Sequence, residues 1–307
     1  MKKSILYMAA AALMILPLSC KKDDDETDST PSLSGLTFSL DPYGGLDQTY
    51  TLKPSSVSTS DGTSPESVGY YWILNSGSRD TTDIYTFKPD TLGTYTFLCY
   101  AFAEGYYSTS ASNSIRIVDP ALGATVKNTG ISTLDDHITT DGNDYYFKQA
   151  GGLDWFRNNL ANPACGIPYL HSEITSAILG RYYSWEEAMS ACPEGWRLPT
   201  AEEWMGVASQ AGELMADAYF LEDRMWEYWP QVPITNATGL AVIPAGYAMT
   251  GFATPVFKGF EDYALFWTST EAGDEQAVYC YLFEEDNDIH TAKGDKASLA
   301  LSVRCVR

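Results

Sequence analysis

Two capping boxes in the second half of the chain constrain its fold more than any other sequence feature. In each box a Ser or Thr is followed three residues later by Glu: Ser184 by Glu187, and Thr200 by Glu203. The hydroxyl accepts a hydrogen bond from a free N–H of the first helical turn, and the carboxylate accepts one from the N–H of the Ser or Thr. One helix is therefore predicted to begin after Ser184 and another after Thr200.

Both predicted helices have one apolar face, because apolar residues recur at spacings of three, four and seven. The face of the first helix consists of Trp185, Ala188, Met189 and Cys192. The face of the second consists of Trp204, Val207, Ala208, Ala211 and Met215. Pro193 ends the first helix. With strands predicted on both sides of the pair, residues 124–307 are expected to form an α+β domain.

The end of the chain is predicted to be a strand with one buried face. Apolar and polar residues alternate strictly there, so one face carries Leu299, Leu301, Val303 and Cys305. Since Cys192 faces a core from the first helix, we expect a disulfide between Cys192 and Cys305. It would close a loop of more than a hundred residues, for which the chain-entropy stabilisation is roughly 4–5 kcal/mol.

The second half of the chain contains two further cysteines, Cys165 and Cys280. Four cysteines allow three pairings, and their spacing does not choose among them. By elimination Cys165 and Cys280 are the second candidate pair. This pairing stays open because Cys165 lies in a predicted loop.

Residues 35–119 are predicted to form a small all-β domain, since short alternating runs recur between turn residues. The order of Tyr71-Trp72 on a central strand and Gly93 to Phe97 entering the next resembles PKD-like and bacterial Ig-like modules. The resemblance implies a β-sandwich with Trp72 in its core, used as a spacer. Cys99 alternates with Phe97 and is expected to be a buried, unreactive thiol.

Five motifs follow one another in the second half of the chain. They are GRYYSW (residues 180–185), ACPEGW (191–196), RLPT followed by EW (197–204), FWTSTE (266–271) and SVRCV (302–306). In this order they resemble the Fibrobacter succinogenes major paralogous domain, and the resemblance covers nearly all of residues 124–307. That family is similar to C-type-lectin-like folds and more distantly to the formylglycine-generating enzyme fold. The resemblance implies an α+β C-type-lectin-like fold and an extracellular setting, but no settled activity.

The first nineteen residues resemble a bacterial lipoprotein signal peptide. Two lysines precede an apolar run of twelve residues, Ile5 to Leu16, whereas a helix needs about 20 apolar residues to span a bilayer core. The run is followed by Pro-Leu-Ser-Cys, which resembles a lipobox, so cleavage and lipid attachment are predicted at Cys20. Ordinary signal cleavage without a lipid is the alternative.

Residues 20–34 are predicted to be a flexible tether, because they are charged or rich in Ser and Thr and have nothing to bury. A Lys followed by acids just after the cysteine resembles the surface-export signal of Bacteroidota lipoproteins. The resemblance implies that the protein is held to the outer membrane by its lipid and faces the cell exterior.

Composition and motifs argue against several classes of ligand and of catalytic site for this protein. The formal net charge of −21 disfavours binding to nucleic acid and to anionic lipid headgroups. The three histidines, His137, His171 and His290, lie far apart and in no zinc-binding spacing. The sequence contains no nucleophile elbow and no phosphate-binding glycine loop. We therefore assign no catalytic residue and no required cofactor, and expect a protein that is not an enzyme.

An aromatic segment is the candidate ligand site. Trp226, Tyr228 and Trp229 lie beside an acid, and such a surface is typical of sites on which sugar rings stack. The alternative is that some or all of these rings fill the core beside a long loop.

An acidic cluster is the candidate metal site. Glu284, Asp286 and Asp288 supply hard oxygen atoms of the kind that Ca²⁺ prefers, although the cluster lacks EF-hand spacing. The alternative is a solvated hairpin tip. The Glu-Pro-Asn, Gln-Pro-Asp and Trp-Asn-Asp motifs of calcium-dependent C-type lectins do not occur in the sequence.

These observations predict a non-enzymatic surface lipoprotein that binds a glycan or a host or bacterial protein. Its distal loops, around 217–235 and 250–263, would carry the recognition surface. Two other classes remain open. One is a structural or assembly subunit of a surface appendage. The other is an enzyme related to the formylglycine-generating fold, which would need a reactive Cys280.

Overall fold

The computed structural model describes residues 30–75, 77–211, 213–226, 232 and 234–307. Within these residues the chain is mostly β, with many short strands and three α-helices of four, seven and eleven residues. None of the helices in this part of the chain is long and apolar enough to cross a membrane. The predicted lipid attachment site, Cys20, lies outside the described residues.

In the first region, residues 30–118, the regular elements of the described residues are all strands. In chain order they are β1 (Leu33–Ser34), β2 (Tyr43–Gly45), β3 (Tyr50–Leu52), β4 (Ser58–Thr59), β5 (Gly69–Leu74), β6 (Ser78–Asp80), β7 (Tyr85–Phe87), β8 (Gly93–Phe102) and β9 (Thr109–Val118). Five form one sheet in the order β2-β9-β8-β5-β6, in which β2 runs parallel to β9 and the other neighbours are antiparallel. The pair β3–β7 packs its aromatic residues against this sheet, which makes the region sandwich-like.

The core of the first region follows from alternation along β8. Four alternate side chains point inward and are at most 8% exposed: Tyr95, Phe97, Cys99 and Ala101. Trp72 on β5 is fully buried, and its Nε1 donates a hydrogen bond to the carbonyl of Thr82 at 3.0 Å. Burial raises the pKa of the Cys99 thiol to about 11, so this cysteine is unreactive core packing, as predicted.

The second region, residues 124–307, contains the helices. Before them lie β10 (Val126–Lys127), β11 (His137–Thr140), β12 (Asn143–Ala150), β13 (Leu153–Phe156) and β14 (Ile167–Pro168). Two 3₁₀ turns (Tyr169–His171 and Glu173–Thr175) then lead to α1 (Ser176–Leu179), β15 (Arg181–Tyr182), α2 (Trp185–Ala191) and α3 (Ala201–Ala211). The last strands are β16 (Tyr219–Phe220), β17 (Asp223–Arg224), β18 (Tyr247–Met249), β19 (Val256–Lys258), β20 (Tyr263–Glu271), β21 (Gln276–Phe283), β22 (His290–Asp295) and β23 (Leu299–Ala300).

Both predicted capping boxes form. The N–H of Glu187 donates to the Ser184 hydroxyl at 3.3 Å, and the N–H of Ser184 donates to the Glu187 carboxylate at 2.8 Å. Thr200 and Glu203 make the same two hydrogen bonds at 3.1 and 2.8 Å. The helices α2 and α3 therefore begin where the sequence predicts.

The buried face of α2 differs from the prediction. Trp185 and Ala188 are buried, but Met189 is 47% exposed. The helix ends at Ala191, and Cys192 already has extended backbone, so its side chain no longer follows the helical spacing. In a helix of only two turns, the segments that pack against the last turn decide which of its side chains are buried.

The end of the chain is buried on both sides, which the alternating pattern does not predict. Every residue from 300 to 306 is at most 2% exposed. Only β23 pairs as a regular strand, with β18. Beyond it, Leu301 bridges Tyr183, and Val306 bridges both Trp155 and Arg197. The segment therefore runs through the middle of the second region and is covered by several other stretches of the chain.

Cys192 and Cys305 form a disulfide, with Cα atoms 5.9 Å apart and a sequence separation of 113. The second candidate pair does not form, because Cys165 and Cys280 are both free thiols. Cys280 points from β21 into the cluster beside α3, whereas Cys165 packs against the cluster on the other face of that sheet. The two thiols lie on opposite sides of one layer, so the elimination argument is wrong.

Trp226 lies in the core, so its predicted role in stacking on sugar is wrong. Its side chain is fully buried, and its Nε1 donates to the carbonyl of Val242 at 3.4 Å. A fully covered indole with a hydrogen-bond partner contributes packing and offers no face to a ligand. Tyr228 and Trp229 lie outside the described residues.

The two regions contact each other through aromatic and charged side chains. Tyr43 of β2 packs against Tyr169 and Phe220, with ring centroids 5.9 and 6.2 Å apart. Arg116 of β9 lies over the Phe220 ring at 5.2 Å and forms an ion pair of 3.1 Å with Asp223. Strands of the first region are thereby joined to the β16–β17 hairpin of the second.

Glu261, which lies near Arg116 and Asp223 of this contact, is in an energetically unfavourable position. Its φ of 73° lies in the left-handed region, which residues other than Gly rarely adopt. Its Oε1 atom is buried, and no hydrogen-bond partner for it exists among the described residues. Burial raises the pKa of Glu261 most, and Asp223 and Asp262 raise it further, while Arg116 lowers it. The net effect is a pKa above the ordinary value.

Removal of the disulfide, by Cys192→Ala together with Cys305→Ala, is expected to lower the free energy of unfolding by about 2–5 kcal/mol, because the long unfolded loop is no longer closed. Urea unfolding measures the change. Cys165→Ala, at a free and partly buried thiol, is the control and should have a smaller effect. A wild-type midpoint that does not move when reductant is added would contradict the prediction.

Replacement of the buried indole, in Trp226→Ala, is expected to lower the free energy of unfolding by about 3–5 kcal/mol through lost packing and cavity formation. Phe252→Ala is the control, since Phe252 is 57% exposed and should change stability little. Urea unfolding compares the two. Equal stability of Trp226→Ala and the wild-type protein would show that the indole is not core packing.

Glu261→Gln is expected to stabilise the protein at pH 7 more than at pH 4. A raised pKa means that the folded state binds more protons than the unfolded state above the ordinary carboxyl pKa of about 4.3. The wild-type protein therefore loses stability as the pH rises from the ordinary carboxyl pKa to the raised pKa of Glu261. The variant does not lose this stability, because Gln does not titrate. Urea unfolding at both pH values tests this, with the exposed Asp83→Asn as the control. A wild-type advantage at pH 7 would contradict the prediction.

Candidate functional site

The acidic cluster at residues 284–288 forms the turn between β21 and β22, and its Asp286 carboxylate is already engaged. Asp286 accepts the N–H of Asp288 at 3.0 Å and pairs with the ring of His290 at 3.0 Å. Across the part of the chain that the structure describes, no three His, Cys, Asp or Glu side chains are grouped to hold a metal ion. The calcium site predicted from Glu284, Asp286 and Asp288 is therefore not formed, because Asp286 faces His290.

The histidines are not brought together either. The ring of His137 lies 3.1 Å from the carbonyl of Asp135, and the ring of His171 packs on Phe257 with centroids 5.4 Å apart. His290 belongs to the turn just described. Each ring has local neighbours, so the three do not form a shared site.

Cys280 does not have the environment of a reactive thiol. Its side chain is fully buried, and burial raises its pKa to about 12. At neutral pH it is therefore the neutral thiol, which is a poor nucleophile and a poor metal ligand. Cys305 is in the disulfide and is not available as a second thiol. These positions do not support chemistry of the formylglycine-generating type.

A groove of about 560 Å³ lies between the β20–β21–β22 sheet and strand β18; we call it the aromatic groove. Its lining residues are uncharged and mostly aromatic: Tyr247, Met249, Tyr263, Leu265, Tyr279, Tyr281, Phe283 and Leu299. Strands at its edges position these side chains, so the groove depends on backbone geometry rather than on a long loop.

Alternation along β21 explains why the aromatic residues share one face. Side chains two residues apart on a strand point to the same side. Tyr279, Tyr281 and Phe283 therefore line the groove in a row, with neighbouring centroids 5.9 and 6.2 Å apart. The alternate residues Cys280 and Leu282 point into the core beside α3 and anchor the strand.

Pairing across the sheet widens the row into a platform. Tyr263 of β20 is opposite Phe283, and the two rings are stacked at 6.2 Å. His290 of β22 is opposite Tyr281, and these rings are stacked at 5.1 Å. Because Asp286 holds the His290 ring, the acidic turn helps to shape the border of the groove.

The groove is open to solvent and has polar groups within it. Tyr263 is 39% exposed, and Tyr279, Tyr281 and Phe283 are half-buried. Burial raises the pKa of Tyr279, and the neighbouring hydroxyls of Tyr281 and Tyr247 raise it further. Tyr247, Tyr279 and Tyr281 all line the groove, and each of their hydroxyls can donate and accept a hydrogen bond.

The sequence contained a signal for this groove, namely the period of two in Tyr279, Tyr281 and Phe283. A period of two identifies the shared face but does not say whether that face is covered by other residues. The predicted recognition loop 250–263 contributes Tyr263 at its end. Among the described residues of the predicted loop 217–235, none lines the groove.

A second cavity, of about 620 Å³, lies where the linker 119–123 meets the second region; we call it the seam cavity. Two buried arginines, Arg157 and Arg304, are among its lining residues, with Asn158, Asn159 and Tyr146. Arg304 belongs to the closing SVRCV motif, which the sequence marked only as part of a family pattern.

Comparison with solved structures gives only distant similarity. The adhesin InvE of Yersinia pseudotuberculosis shares 11% identity, with 89% of this chain and 70% of that chain covered and a TM-score of 0.25. A carbohydrate-binding module of the β-sandwich superfamily shares 11% identity, with 90% and 91% covered and a TM-score of 0.29. A quinonprotein alcohol dehydrogenase-like protein of Bacteroides thetaiotaomicron shares 11% identity, with 83% and 47% covered and a TM-score of 0.21. Similarities of this size do not define a common fold or ligand.

Comparison with curated proteins found no match. The model of the Fibrobacter succinogenes major domain matches residues 133–307, which is more than half of the chain and nearly all of the second region. The matched residues include the two capped helices, the disulfide, the aromatic groove and the buried end segment. The chain therefore belongs to the Fibrobacter succinogenes major domain family.

Proposed function

We propose that this protein is a non-enzymatic binding protein of the cell surface and that its aromatic groove recognises an uncharged glycan. One observation carries the proposal: a solvent-open groove of about 560 Å³ is lined by four tyrosines and a phenylalanine, and none of the described residues that line it is charged. This volume is within the range of about 300–1,000 Å³ that is usual for small-ligand sites.

The chemistry of the groove matches that of a sugar. Pyranose rings present C–H groups on their faces, which pack on aromatic rings, and hydroxyls at their edges, which need hydrogen-bond partners. The rings of Tyr279, Tyr281 and Phe283 supply a row of faces at one spacing. The hydroxyls of Tyr247, Tyr279 and Tyr281 supply donors and acceptors beside them. A row of this kind suits several successive sugar rings better than a single one.

The charge of the protein favours a neutral ligand in this groove. The formal net charge is −21, and the described residues that line the groove include no cation to offset it. A polyanionic glycan would be repelled at long range and would find no partner at contact. Uncharged glycans of a host or of a neighbouring bacterium are the proposed partners, and a glycosylated protein would present the same chemistry.

In this proposal the rest of the chain presents the groove away from the cell. Lipid on Cys20 holds the protein to the outer membrane, and residues 20–34 form the tether. Residues 35–119 act as an Ig-like or PKD-like spacer, and residues 124–307 form a C-type-lectin-like recognition domain. The contact between Tyr43, Tyr169 and Phe220 supports a defined orientation of the second region relative to the spacer.

Tyr281→Ala is expected to weaken glycan binding about tenfold, because it removes the central ring of the row. Binding is first sought with the purified protein on a broad array of neutral glycans, and the affinity of a hit is then measured by calorimetry. Tyr281→Phe removes the hydroxyl but keeps the ring, so it should lose less affinity than Tyr281→Ala. Tyr71→Ala is the matched control, since Tyr71 is a half-buried strand tyrosine on the first region.

Three results would count against this function. An array without hits beside working controls would exclude glycan recognition as the role of the groove. Equal loss of affinity in Tyr281→Ala and Tyr71→Ala would move the site elsewhere. Loss of binding in a chelator would make a metal ion part of recognition, which the uncharged groove does not predict.

A further inference from the structure

Beyond the aromatic groove, we infer that the seam cavity is a second binding site and that it takes a small hydroxylated carboxylate, a sugar acid. The inference does not depend on the proposed glycan function, because the two cavities have different lining residues, uncharged in the aromatic groove and partly charged in the seam cavity.

Arg304 is a buried cation without a carboxylate partner among the described residues. It is 1% exposed, its guanidinium lies over the Phe266 ring at 5.6 Å, and its hydrogen bonds go to neutral oxygens. Nε donates to Asn159 Oδ1 at 2.8 Å, and Nη1 donates to the carbonyls of Phe156, at 3.1 Å, and Leu240. Nη2 donates to the carbonyl of Ala241 at 3.1 Å. A buried charge without a counter-ion is energetically unfavourable, so the site gains from an anion nearby.

Arg157 places a second cation in the same wall. It is 6% exposed, and its Nη1 pairs with Asp135, while Nε and Nη2 donate to the carbonyls of Gly239 and Gly130, both at 2.7 Å. Of the two buried guanidiniums, only that of Arg157 has a carboxylate partner among the described residues. The charge of Arg157 adds to the effect of burial in lowering the pKa of Arg304, to about 9.

The two side chains still have donors to offer. A guanidinium carries five N–H groups. Among the described residues Arg304 uses four of them and Arg157 uses three, so one N–H remains on Arg304 and two remain on Arg157. Both residues line the cavity, and a carboxylate is the group whose two oxygens fit such donors best.

The remaining lining selects a hydroxylated ligand. Asp119 and Asp144 also line the cavity and are less buried than the arginines, so the cationic part is deep and the acidic part is nearer to solvent. A purely anionic ligand would meet these two acids unfavourably. A ligand with hydroxyl donors at the other end can donate to them. Asn158 and Tyr146 add further polar groups to the wall.

The negative net charge of the protein does not prevent such binding. Exposed charges are screened over about 10 Å at 0.1 M salt, whereas buried charges are screened much less. The distant acids of the surface therefore oppose a carboxylate in the cavity only weakly, whereas the two buried guanidiniums act on it at short range. The cavity volume of about 620 Å³ accommodates a monosaccharide with bound water.

Calorimetry of the purified protein tests the inference, with D-glucuronate and D-galacturonate as the probes and D-glucose and D-galactose as their neutral counterparts. At least one of the two acids is expected to bind, and its neutral counterpart is expected to bind at least about tenfold more weakly. Absence of binding by both acids would overturn the inference. Equal affinity for an acid and its neutral counterpart would overturn it as well.

A pair of variants locates the site. Ala177 is exposed and lines the cavity, so Ala177→Glu adds a carboxylate there and Ala177→Gln adds the same bulk without charge. Ala177→Glu is expected to weaken binding of the acid about tenfold, and Ala177→Gln about twofold or less. Equal loss in both variants would contradict the role of charge. Tyr281→Ala should leave this binding unchanged, and a loss there would place the acid in the aromatic groove instead.

Discussion

The second region depends on the burial of its own end segment. Arg304 sits in that segment and donates to Phe156, Asn159, Leu240 and Ala241, so one side chain joins three stretches of chain that are far apart in sequence. The disulfide at Cys305 adds a covalent bond to the end of α2. Buried polar groups require partners, and here the carbonyls that surround the segment obtain theirs from the arginine. Without the segment these carbonyls and the apolar clusters on both sides of it would be exposed.

Both cavities border this segment. Leu299 lines the aromatic groove, and Arg304, five residues further along, lines the seam cavity. A ligand in either cavity therefore contacts a part of the chain whose position is fixed by the core. Sites supported in this way keep their geometry better than sites on long loops. The same segment contributes an apolar side chain to one site and a buried cation to the other, so the two sites differ in polarity.

The distribution of charge separates the outside of the molecule from its inside. Acids outnumber Lys and Arg by 40 to 19, yet Arg157, Arg181 and Arg304 are buried. Arg181 donates to the carbonyls of Cys165 and Gly166 and pairs with Glu173, so it joins a loop to the second 3₁₀ turn, as Arg304 joins its own neighbours. Guanidinium groups suit this role because they are planar and carry five donors. The protein is therefore acidic as a whole, although its interior contains these three arginines.

The sequence by itself determined the features that depend on neighbours along the chain. The capping boxes at Ser184 and Thr200 and the burial of Cys99 could be predicted, because local hydrogen bonding and strand periodicity decide which way these residues point. The burial of Trp72 was implied by the resemblance to Ig-like modules. The bond between Cys192 and Cys305 was predicted correctly, although Cys192 does not follow the helical spacing on which that prediction relied. The family of the second region could also be predicted from its ordered motifs.

Only the tertiary structure decided which aromatic and acidic residues are free to bind. Trp226 and Tyr281 both belong to aromatic segments, but one is enclosed by core residues and the other lies in an open groove. Asp286 is turned toward His290 rather than toward a metal ion. Cys165 and Cys280 are separated by a sheet. The exposure of a side chain depends on which distant segments pack over it, and the period of a pattern carries no information about those segments.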